Sequence, residues 1–450
     1  MTKSQPPIRK SFWKRKSFLF VAIPLSIAMV VVLYYAGMQY QASRRVAAEV
    51  QRIRLSNLPI DSETQSQWFL ANSSKEHSDA WAEILMLGAA VANEREVLDN
   101  LPYIGNANIP PVIDPGKPWS NEPVVAQWLE VTKPLIDKIH SVSRLKKPTW
   151  QPLDFQGFMT LLEPIQNSRN LARILQVEVE HALYVGDAER AMRGLQSLDG
   201  IAHAFDWNIC LVTDLVGIAL RGVHFSMIQR SLSLDIWTDE QLAELSSQVV
   251  QGQDVTERWR ATIAGERGLL LDEVTNQGPG LGESVGGMGF LFSIPSVQES
   301  LLSVYSRIES AADQGIDELA KNAKEIEKHP PFTDDDRFSI EGLGAGMIVP
   351  AVQAFAEAVI RNEDMRRFTS TAIGIKRFQL ANGQFPESLD QLKAIGMNPS
   401  DWTTVGGKVF GYTAGDAAYV WSYSFRDPQT IAQEKPEEDE NGTEQIVTIF

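Results

Sequence analysis

The stretch Ile209–Ile228, ICLVTDLVGIALRGVHFSMI, decides which fold the central part of this chain adopts. It is the best candidate for a membrane crossing after residue 40, but Asp214, Arg221 and His224 interrupt it. A membrane-spanning helix needs roughly 20 predominantly apolar residues, and the longest apolar run here is well short of that. A helix that is apolar on nearly every side lies in the core of a soluble domain. We therefore predict that this segment is the buried central helix of a helical domain.

Helical periodicity continues on both sides of this segment. Apolar residues share one helical face over Leu161–Val185, and Asp187 is a predicted N-cap for the helix that follows. Thr238 is a second predicted N-cap, and Gln241 completes a capping box with it. Residues 102–123 are rich in proline and predict an irregular loop or an extended arm of polyproline II type. Further helices are predicted over residues 81–97, 124–142, 188–198, 254–275 and 296–328.

The pattern changes towards the end of the chain. After a polar connector, a long amphipathic helix is predicted over Ile348–Leu380. Beyond Gly383 the apolar residues alternate, which is typical of strands. The predicted strands of a small antiparallel sheet are Lys408–Tyr412, Ala418–Phe425 and an edge strand at Ile446–Phe450.

The N-terminal stretch Ser17–Tyr40, SFLFVAIPLSIAMVVVLYYAGMQY, carries no charged side chain. As a helix it spans roughly 36 Å, enough to cross a hydrocarbon core of about 30 Å. Residues 1–16 are basic without a single acid, which places the N-terminus in the cytoplasm. A cleaved signal peptide is the alternative, but its apolar core is shorter and a small-x-small cleavage site follows it. We predict an uncleaved signal anchor that contacts the lipid bilayer through residues 17–40.

The predicted fold class is therefore mainly α, with one N-terminal transmembrane helix, a large helical extracytoplasmic domain and a small C-terminal α+β domain. The predicted organisation, in chain order, is a basic cytoplasmic tail (1–16), the transmembrane anchor (17–40), a helical domain (41–329), a linker (330–347), a long helix with a small antiparallel sheet (348–433) and an acidic tail (434–450).

Composition excludes several classes of function. The net charge of −16 argues against a general nucleic-acid binder, so no nucleic-acid partner is predicted. Cys210 is the single cysteine, which excludes an internal disulfide and any cysteine-based zinc or iron–sulfur site. Because it lies in the apolar segment, we predict that it is a small buried side chain.

One short pattern suggests a nucleophile. Gly282–Gly286, GESVG, fits the G-x-S-x-G elbow and makes Ser284 the one weak candidate for a catalytic residue. Such an elbow needs a strand before the serine and a helix after it. Here the match lies in a glycine-rich stretch without either, so we predict a loop rather than a catalytic serine.

Two further patterns suggest metal ligands. Glu178 and His181 form a Glu-x-x-His motif, and the nearest second copy is Asp137 with His140. A four-helix di-iron site needs two complete motifs and two further glutamates, so we predict a surface or partly buried histidine here. The run Asp334–Asp336 lacks the alternating spacing of a calcium loop and is predicted to be solvated. No metal and no cofactor is predicted.

A third pattern predicts an ion pair. Gly265–Arg267, GER, lies within the predicted helix over 254–275. We expect its charged side chains to pair with a neighbouring helix.

A C-terminal segment resembles part of the type II secretion pseudopilins. It reads Arg366-Arg367-x8-Lys376-Arg377-Phe378-x4-Gly383-Gln384-Phe385-Pro386-Glu387-Ser388-Leu389-x2-Leu392. In pseudopilins a long helix ends in a turn of this pattern and enters a small sheet. The resemblance implies that Gly383 ends the helix, that Pro386 starts a short one, and that Leu389 and Leu392 hold it against the sheet. The prepilin signal is missing at the N-terminus, and only Asp427 stands where the calcium-binding aspartates follow the last strands.

The chain as a whole resembles a group of large, uncharacterised single-pass proteins of planctomycete bacteria. The residues that carry the resemblance are a GD-x-x-x-A segment, an LV-x-IA helix and the GER triplet, at Gly186–Ala191, Leu215–Ala219 and Gly265–Arg267. The resemblance implies the bacterial inner membrane as the location, with the bulk of the chain periplasmic or extracytoplasmic. It implies no activity.

These observations favour a non-enzymatic scaffold or adaptor of the cell envelope, linked to secretion or envelope assembly, with protein partners there. Two alternatives stay open. One is a membrane-tethered hydrolase, for which Ser284 is the named candidate. The other is a pseudopilin-like subunit that has lost filament assembly.

Overall fold

A computed structural model describes residues 12–93, 99–105, 107, 118–157, 159–250, 254–275, 293–313, 315–319, 321, 340–415, 417–422 and 445–449. The chain is mainly helical, as the sequence predicted. In chain order the helices are α1 (Phe12–Leu55), α2 (Ser62–Asn72), α3 (Ser78–Val91), α4 (Glu122–Val142), α5 (Glu163–Tyr184), α6 (Ala188–Ala204), α7 (Leu211–Ser231), α8 (Asp239–Val250), α9 (Val255–Thr275), α10 (Pro295–Ser310) and α11 (Ile340–Asn382).

Two of the described helices are long and apolar enough to cross a membrane. The first is the part of α1 from Ile23 to Leu55, and none of its most apolar window is buried. The second is α7, and 56% of its window is buried inside the fold. The prediction that Ile209–Ile228 is a central core helix is confirmed, because α7 packs against α5, α6, α9 and α11.

The main apolar core lies between α3, α4, α5, α6, α7 and α8, and the second half of α11 closes it. Aromatic rings fill its centre, with Trp81 edge-on to Phe205 at 5.4 Å and Phe69 edge-on to Trp207 at 5.1 Å between ring centroids. A second cluster joins α9, α10 and the first half of α11, where Trp259 stacks on Phe355. A small third cluster holds the end of α1 against α9 and α10 through Ile53, Ile60, Leu271 and Leu302.

Local sequence signals account for two of the helix starts. Asp187 accepts a hydrogen bond from the backbone N–H of Arg190 at 3.0 Å, so its predicted N-cap role is confirmed. The predicted capping box is confirmed as well, because Thr238 and Gln241 exchange backbone-to-side-chain hydrogen bonds of 3.0 and 3.3 Å. These contacts satisfy backbone donors that a helix start leaves without an internal partner.

Two glycines allow helices to approach closely. A Cβ on Gly200 of α6 would lie 1.9 Å from the carbonyl oxygen of Ser143, at the end of α4. A Cβ on Gly265 of α9 would lie 2.0 Å from the carbonyl oxygen of Ile209, just before α7. Only glycine fits at these crossings, and the second one sets the position of α9 against the central helix.

The C-terminal segment follows α11. Gly383 has φ +71° and ends this helix, as the pseudopilin resemblance implied. A 3₁₀ helix at Leu389–Ile395 and another at Pro399–Trp402 come next, followed by an antiparallel sheet in the order β1-β2-β3. Tyr412 donates a hydrogen bond to the carbonyl oxygen of Pro386 at 2.7 Å and so ties the sheet to the turn after α11. The strands are β1 (Gly411–Ala414), β2 (Ala418–Ser422) and β3 (Gln445–Ile449).

Several sequence boundaries differ from the structure. The helix predicted over residues 296–328 is interrupted after Ser310, because Gly315 has φ +98°, a backbone conformation that a helix cannot contain; residues 316–319 are helical again, and residues 322–328 lie outside the described ones. The long C-terminal helix begins at Ile340, inside the segment predicted to be a linker. The short helix after Gly383 begins at Leu389 rather than at Pro386, and it packs on α11. Apolar periodicity locates the middle of a helix better than its ends.

Candidate functional site

A polar cavity of about 540 Å³ lies beside the central helix. Its walls come from α6, α7, the end of α8 and the start of α9, together with α11 and residues 315–317. Five carboxylates, three guanidinium groups and two histidines line it among the described residues. This is an unusual density of charge for the interior of a helical domain, where charged side chains are buried only when they are paired.

A buried ion-pair cluster on α7 and α9 lies beside the cavity, and its two arginines, Arg221 and Arg258, line it. Asp214 is fully buried, and its Oδ1 lies 3.4 Å from Arg221 Nη2 and 3.2 Å from Arg258 Nε. Thr262 donates a hydrogen bond of 3.2 Å to its other oxygen. Burial raises the pKa of the Asp214 carboxyl, although both arginines oppose that shift.

A second carboxylate approaches the same arginine from the loop after α6. Asp206 Oδ2 lies 2.9 Å from Arg221 Nη1. Burial opposes ionisation of Asp206, but Arg221 and Arg258 outweigh it and hold its pKa below the usual value. Asp206 Oδ1 packs beside Gly217 and accepts no hydrogen bond from the described residues. The two aspartates therefore differ in pKa although they share one arginine, which is how proteins assign different protonation states to neighbouring acids.

A histidine pair surrounds Asp199 on the α6 side of the cavity. His203 Nδ1 contacts the backbone carbonyl oxygen of Asp199 at 2.8 Å and its Oδ1 at 3.3 Å, while Lys146 lies 3.1 Å from Oδ2. Burial lowers the pKa of His203, but the interactions with Asp199 outweigh it, so the net shift is upward. His224 is almost completely buried, and this burial lowers its pKa. Of the two histidines, His203 is therefore the one whose protonated form is favoured, and Asp199 fixes its ring.

The α11 wall contributes a third ion-pair group. Glu363 accepts two hydrogen bonds of 2.8 Å from Arg366 and one of 2.8 Å from Arg367. Although burial opposes it, these contacts lower the pKa of Glu363, so this carboxylate stays charged at neutral pH. Asn362, on the same turn, accepts a hydrogen bond of 3.3 Å from Arg221 Nε. The α11 wall is thus joined to the ion-pair cluster on α7.

The remaining two carboxylates that line the cavity, Asp254 and Asp317, are exposed. Asp254 Oδ1 accepts hydrogen bonds from the backbone N–H groups of Thr256 and Glu257, at 2.7 and 3.2 Å, at the start of α9. Asp317 lines the cavity as well, and no basic side chain among the described residues forms a salt bridge with it. The described residues contain no group of three His, Cys, Asp or Glu side chains arranged to hold a metal ion.

The sequence-predicted site residues lie elsewhere. Ser284, Asp334–Asp336 and Asp427 are outside the described residues. Cys210 is buried, as predicted, and burial raises the pKa of its thiol to about 12. Arg267 pairs with Glu309 of α10, so the predicted ion pair between neighbouring helices is confirmed. Its neighbour Glu266 makes a different contact and accepts a hydrogen bond of 3.0 Å from the backbone N–H of Leu211.

The Glu-x-x-His motif is more deeply buried than predicted. Glu178 and His181 are both buried, so the expectation of a surface or partly buried histidine is wrong. Glu178 pairs with His140 of α4 at 3.1 Å, and His181 pairs with Glu122 at 3.2 Å. Asp137 points away and pairs with Lys133. The two partial motifs thus meet across a helix interface through separate histidine–carboxylate contacts.

Sequence reasoning missed the cavity, although part of the signal was visible. Asp214, Arg221 and His224 are the polar interruptions of the apolar stretch, and they excluded a membrane span. Their spacing of seven and three residues places them on one helical face, which predicts a shared polar site on that face. Asp199 and His203, four residues apart, give the same signal on α6.

A second feature lies where α1 passes along α10. Gln39 donates a hydrogen bond of 3.0 Å to Ser296 Oγ and accepts one of 3.1 Å from its backbone N–H. Arg45 makes a bidentate ion pair with Glu299, with one contact of 2.8 Å. Ala42 and Ile53 of α1 are buried, whereas the preceding apolar residues are exposed. The helix therefore changes surroundings near residue 40 without a break in its backbone.

No protein-family model, curated protein or solved structure matches this chain. The resemblances to pseudopilins and to the planctomycete proteins stay predictions from the residues quoted above.

Proposed function

We propose that this chain is a single-pass protein of the bacterial inner membrane that acts as a non-enzymatic scaffold or adaptor in the cell envelope. The observation that supports it is the continuous α1, whose apolar part is exposed and whose polar part is packed onto the body of the protein. The N-terminus is cytoplasmic in this proposal because basic residues precede the span. The bulk of the chain is then extracytoplasmic.

The exposed part of α1 fits a lipid environment. Leu25 and Val30 are each 65% exposed, and no charged side chain lies between Ser17 and Tyr40. Exposing an apolar surface of this extent to water is unfavourable, whereas in a bilayer the same surface contacts apolar lipid tails. Tyr34, Tyr35 and Tyr40 lie towards the outer end, where aromatic side chains favour the membrane–water interface.

The docked part of α1 fits a scaffold role. A flexible tether would let the helical body rotate freely above the membrane, whereas the contacts of Gln39 and Arg45 with α10 fix its orientation. A body held in one orientation presents the same surfaces to neighbouring envelope proteins. The proline-rich segment and the acidic C-terminal residues are further contact surfaces in this proposal.

Affinity purification from crosslinked membranes tests the proposal, using the full chain with a C-terminal tag. We expect stoichiometric recovery of secretion or envelope components. The matched control is the double variant Arg45→Ala with Glu299→Ala, which removes a docking contact but leaves the span intact. We expect it to stay in the membrane and to recover less partner. Recovery of the unmodified protein alone, as a monomer, would contradict the scaffold role.

A membrane-tethered hydrolase is the second candidate, favoured by the Asp199–His203 pair. Asp199 holds His203 through Nδ1, which leaves Nε2 to accept a proton in the cavity, as the base of a hydrolytic site does. Ser284 remains the candidate nucleophile. Screening the full chain against ester and peptide substrates tests this candidate. Loss of an observed activity in both His203→Gln and Ser284→Ala, but not in the exposed control His77→Gln, would support it over the scaffold.

A pseudopilin-like subunit that has lost filament assembly is the third candidate. It is supported by Gly383 at the end of α11 and by the burial of Leu389 and Leu392, which keep the register of the resemblance. Crosslinking of one copy to pseudopilins in intact membranes would support this candidate. Absence of any pseudopilin among the crosslinked proteins would contradict it.

A further inference from the structure

We infer that the groove between α1 and α10 holds the head group of an anionic phospholipid from the outer leaflet of the membrane. The inference rests on the proposed anchoring of the chain by α1, and it names a lipid partner for that anchor. The groove has a volume of about 420 Å³. Residues of α1 from Met38 to Arg45 form one wall, and residues of α10 from Ser296 to Arg307 form the other.

The groove lies at the depth of the lipid head groups. The uncharged stretch of α1 ends at Tyr40. Arg45 follows on the same helix at a distance of about 7.5 Å, since each residue adds about 1.5 Å. The head-group region on each side of the hydrocarbon core extends for roughly 5–7.5 Å. Gln39 and Arg45 both contact α10, so the two walls are held together over this distance.

The charges of the groove leave one cation without an ionic partner. Arg45 is occupied by its bidentate ion pair with Glu299, the one carboxylate among the described residues that line the groove. Arg307 also lines the groove, and it forms no salt bridge with a described residue. The residual charge of the groove is therefore positive, which favours a negatively charged ligand.

Hydrogen-bond donors beside Arg307 favour a phosphate group. Ser300 and Ser303 line the groove, and neither hydroxyl makes a hydrogen bond with a described residue. Ser296 places the first turn of α10 at the same groove, and this turn contains no acidic residue. The N-terminal end of a helix carries a partial positive charge. A phosphodiester offers several acceptor oxygens, and a guanidinium group binds them through paired hydrogen bonds.

The apolar surface next to the groove favours a lipid over a soluble phosphate. Met38 lines the groove and is exposed, and Tyr34 and Tyr35 are exposed one turn earlier on α1. Acyl chains attached to the phosphate would cover this surface, whereas a soluble phosphate would leave it bare. A head group with an ammonium group of its own would cancel the charge of its phosphate. The single residual positive charge therefore favours a head group such as phosphoglycerol.

Native mass spectrometry of the full chain released from lipid nanodiscs tests the inference. The nanodiscs contain equal amounts of phosphatidylglycerol and phosphatidylcholine with the same acyl chains, so the two lipids differ only in the head group. We expect the chain to retain phosphatidylglycerol in excess over phosphatidylcholine. We also expect that glycerophosphate, the soluble part of the head group, does not displace it. Equal retention of the two lipids, or displacement by glycerophosphate, would overturn the inference.

The variant Arg307→Ala and its matched control Arg44→Ala locate the site. Arg44 is exposed and lies beside Arg45 at the same depth, but it does not line the groove. An exposed ion pair contributes at most about 1 kcal/mol, which is about a fivefold change in affinity. We expect Arg307→Ala to lower the ratio of retained phosphatidylglycerol to phosphatidylcholine by about fivefold and Arg44→Ala by less than about twofold. An equal decrease in both variants would show general attraction to a charged surface and contradict the groove.

Carbonate extraction of membranes separates this inference from the anchoring on which it rests. The extraction reports whether the chain stays in the bilayer, whichever lipid the groove holds. We expect the unmodified chain and both variants to stay in the membrane. An unmodified chain that stays there without preferring phosphatidylglycerol would contradict the lipid site alone. Release of the unmodified chain would contradict the anchor and the lipid site together.

Discussion

The crossing of α9 over the start of α7 gives the sharpest stability prediction. The perturbation is Gly265→Ala. The added Cβ would lie 2.0 Å from the carbonyl oxygen of Ile209 and 2.7 Å from the carbonyl carbon, far below the separation of about 3.5 Å at which carbon atoms pack. Both atoms belong to the backbone, so no side-chain rotation relieves the clash. The helices must move apart by about 1 Å or more.

The expected cost follows from what that movement disrupts. Overpacking a core by a few atoms costs about 1–3 kcal/mol, and occasionally more when the backbone has to shift. Here the shift also weakens the hydrogen bond from Leu211 to Glu266 and the ion pair of Arg258 with Asp214, because both join α7 to α9. We therefore expect Gly265→Ala to lower the free energy of unfolding by at least about 3 kcal/mol.

Gly222→Ala on α7 is the matched control. Its Cβ would meet only the sulfur of Met365 at 3.9 Å, which is ordinary contact. Replacing glycine by alanine inside a helix stabilises it by about 0.5–1 kcal/mol, so the two variants shift stability in opposite directions. Urea unfolding of the full chain in detergent, followed by circular dichroism, measures both. A Gly265→Ala protein within about 0.5 kcal/mol of the unmodified chain would refute the close packing of α7 and α9.

Three further predictions concern buried charged and polar groups. Burial raises the pKa of Asp364 to about 6, so the folded state binds this proton more tightly than the unfolded state does. The free energy of unfolding should therefore fall as pH rises from about 4 to 6. Asp364→Asn can still accept the hydrogen bond from the Val405 N–H, and it should remove this dependence from unfolding midpoints measured from pH 4 to 7. Arg230→Met leaves the fully buried Glu180 without its bidentate partner and should cost about 3–5 kcal/mol in urea unfolding, whereas a cost below 1 kcal/mol would contradict the pair. Because burial raises the Cys210 thiol pKa to about 12, iodoacetamide at pH 8 should label the chain only after urea denaturation, and rapid labelling of the folded protein would show that α7 is not buried there.

Local sequence patterns predicted the helices and their starts, but they did not predict which side chains pair with the charged residues. The apolar run of α7 and the capping residues Asp187 and Thr238 act within a few residues, so the sequence reveals them directly. Arg258 reaches Asp214 from a different helix, and no local pattern announces that contact. The prediction for Cys210 succeeded because it needed only the apolar surroundings of one residue.

The motif predictions have the same limit, because the spacing of residues along the chain does not show which side chains meet in the fold. The Glu-x-x-His motif of Glu178 and His181 suggested a metal site because its spacing fits one. In the structure these side chains pair with His140 and Glu122 on α4, a contact set by helix packing rather than by spacing. The walls of the cavity come from several helices, among them α6, α7, α9 and α11. The sequence could indicate the polar face of each helix, but it could not show that these faces meet.

Disulfide trapping in native membranes tests the central claim, that α1 leaves the bilayer as one helix fixed against α10. The pair is Gln39→Cys with Ser296→Cys in a Cys210→Ala background, because these two side chains are hydrogen-bonded at 3.0 Å. The control pair is Tyr40→Cys with Ser296→Cys, since Tyr40 is the next residue on the helix and is 66% exposed. A fixed helix predicts rapid disulfide formation for the first pair and little for the second. Equal rates for the two pairs would show that the anchor moves freely and would contradict a helix fixed against α10.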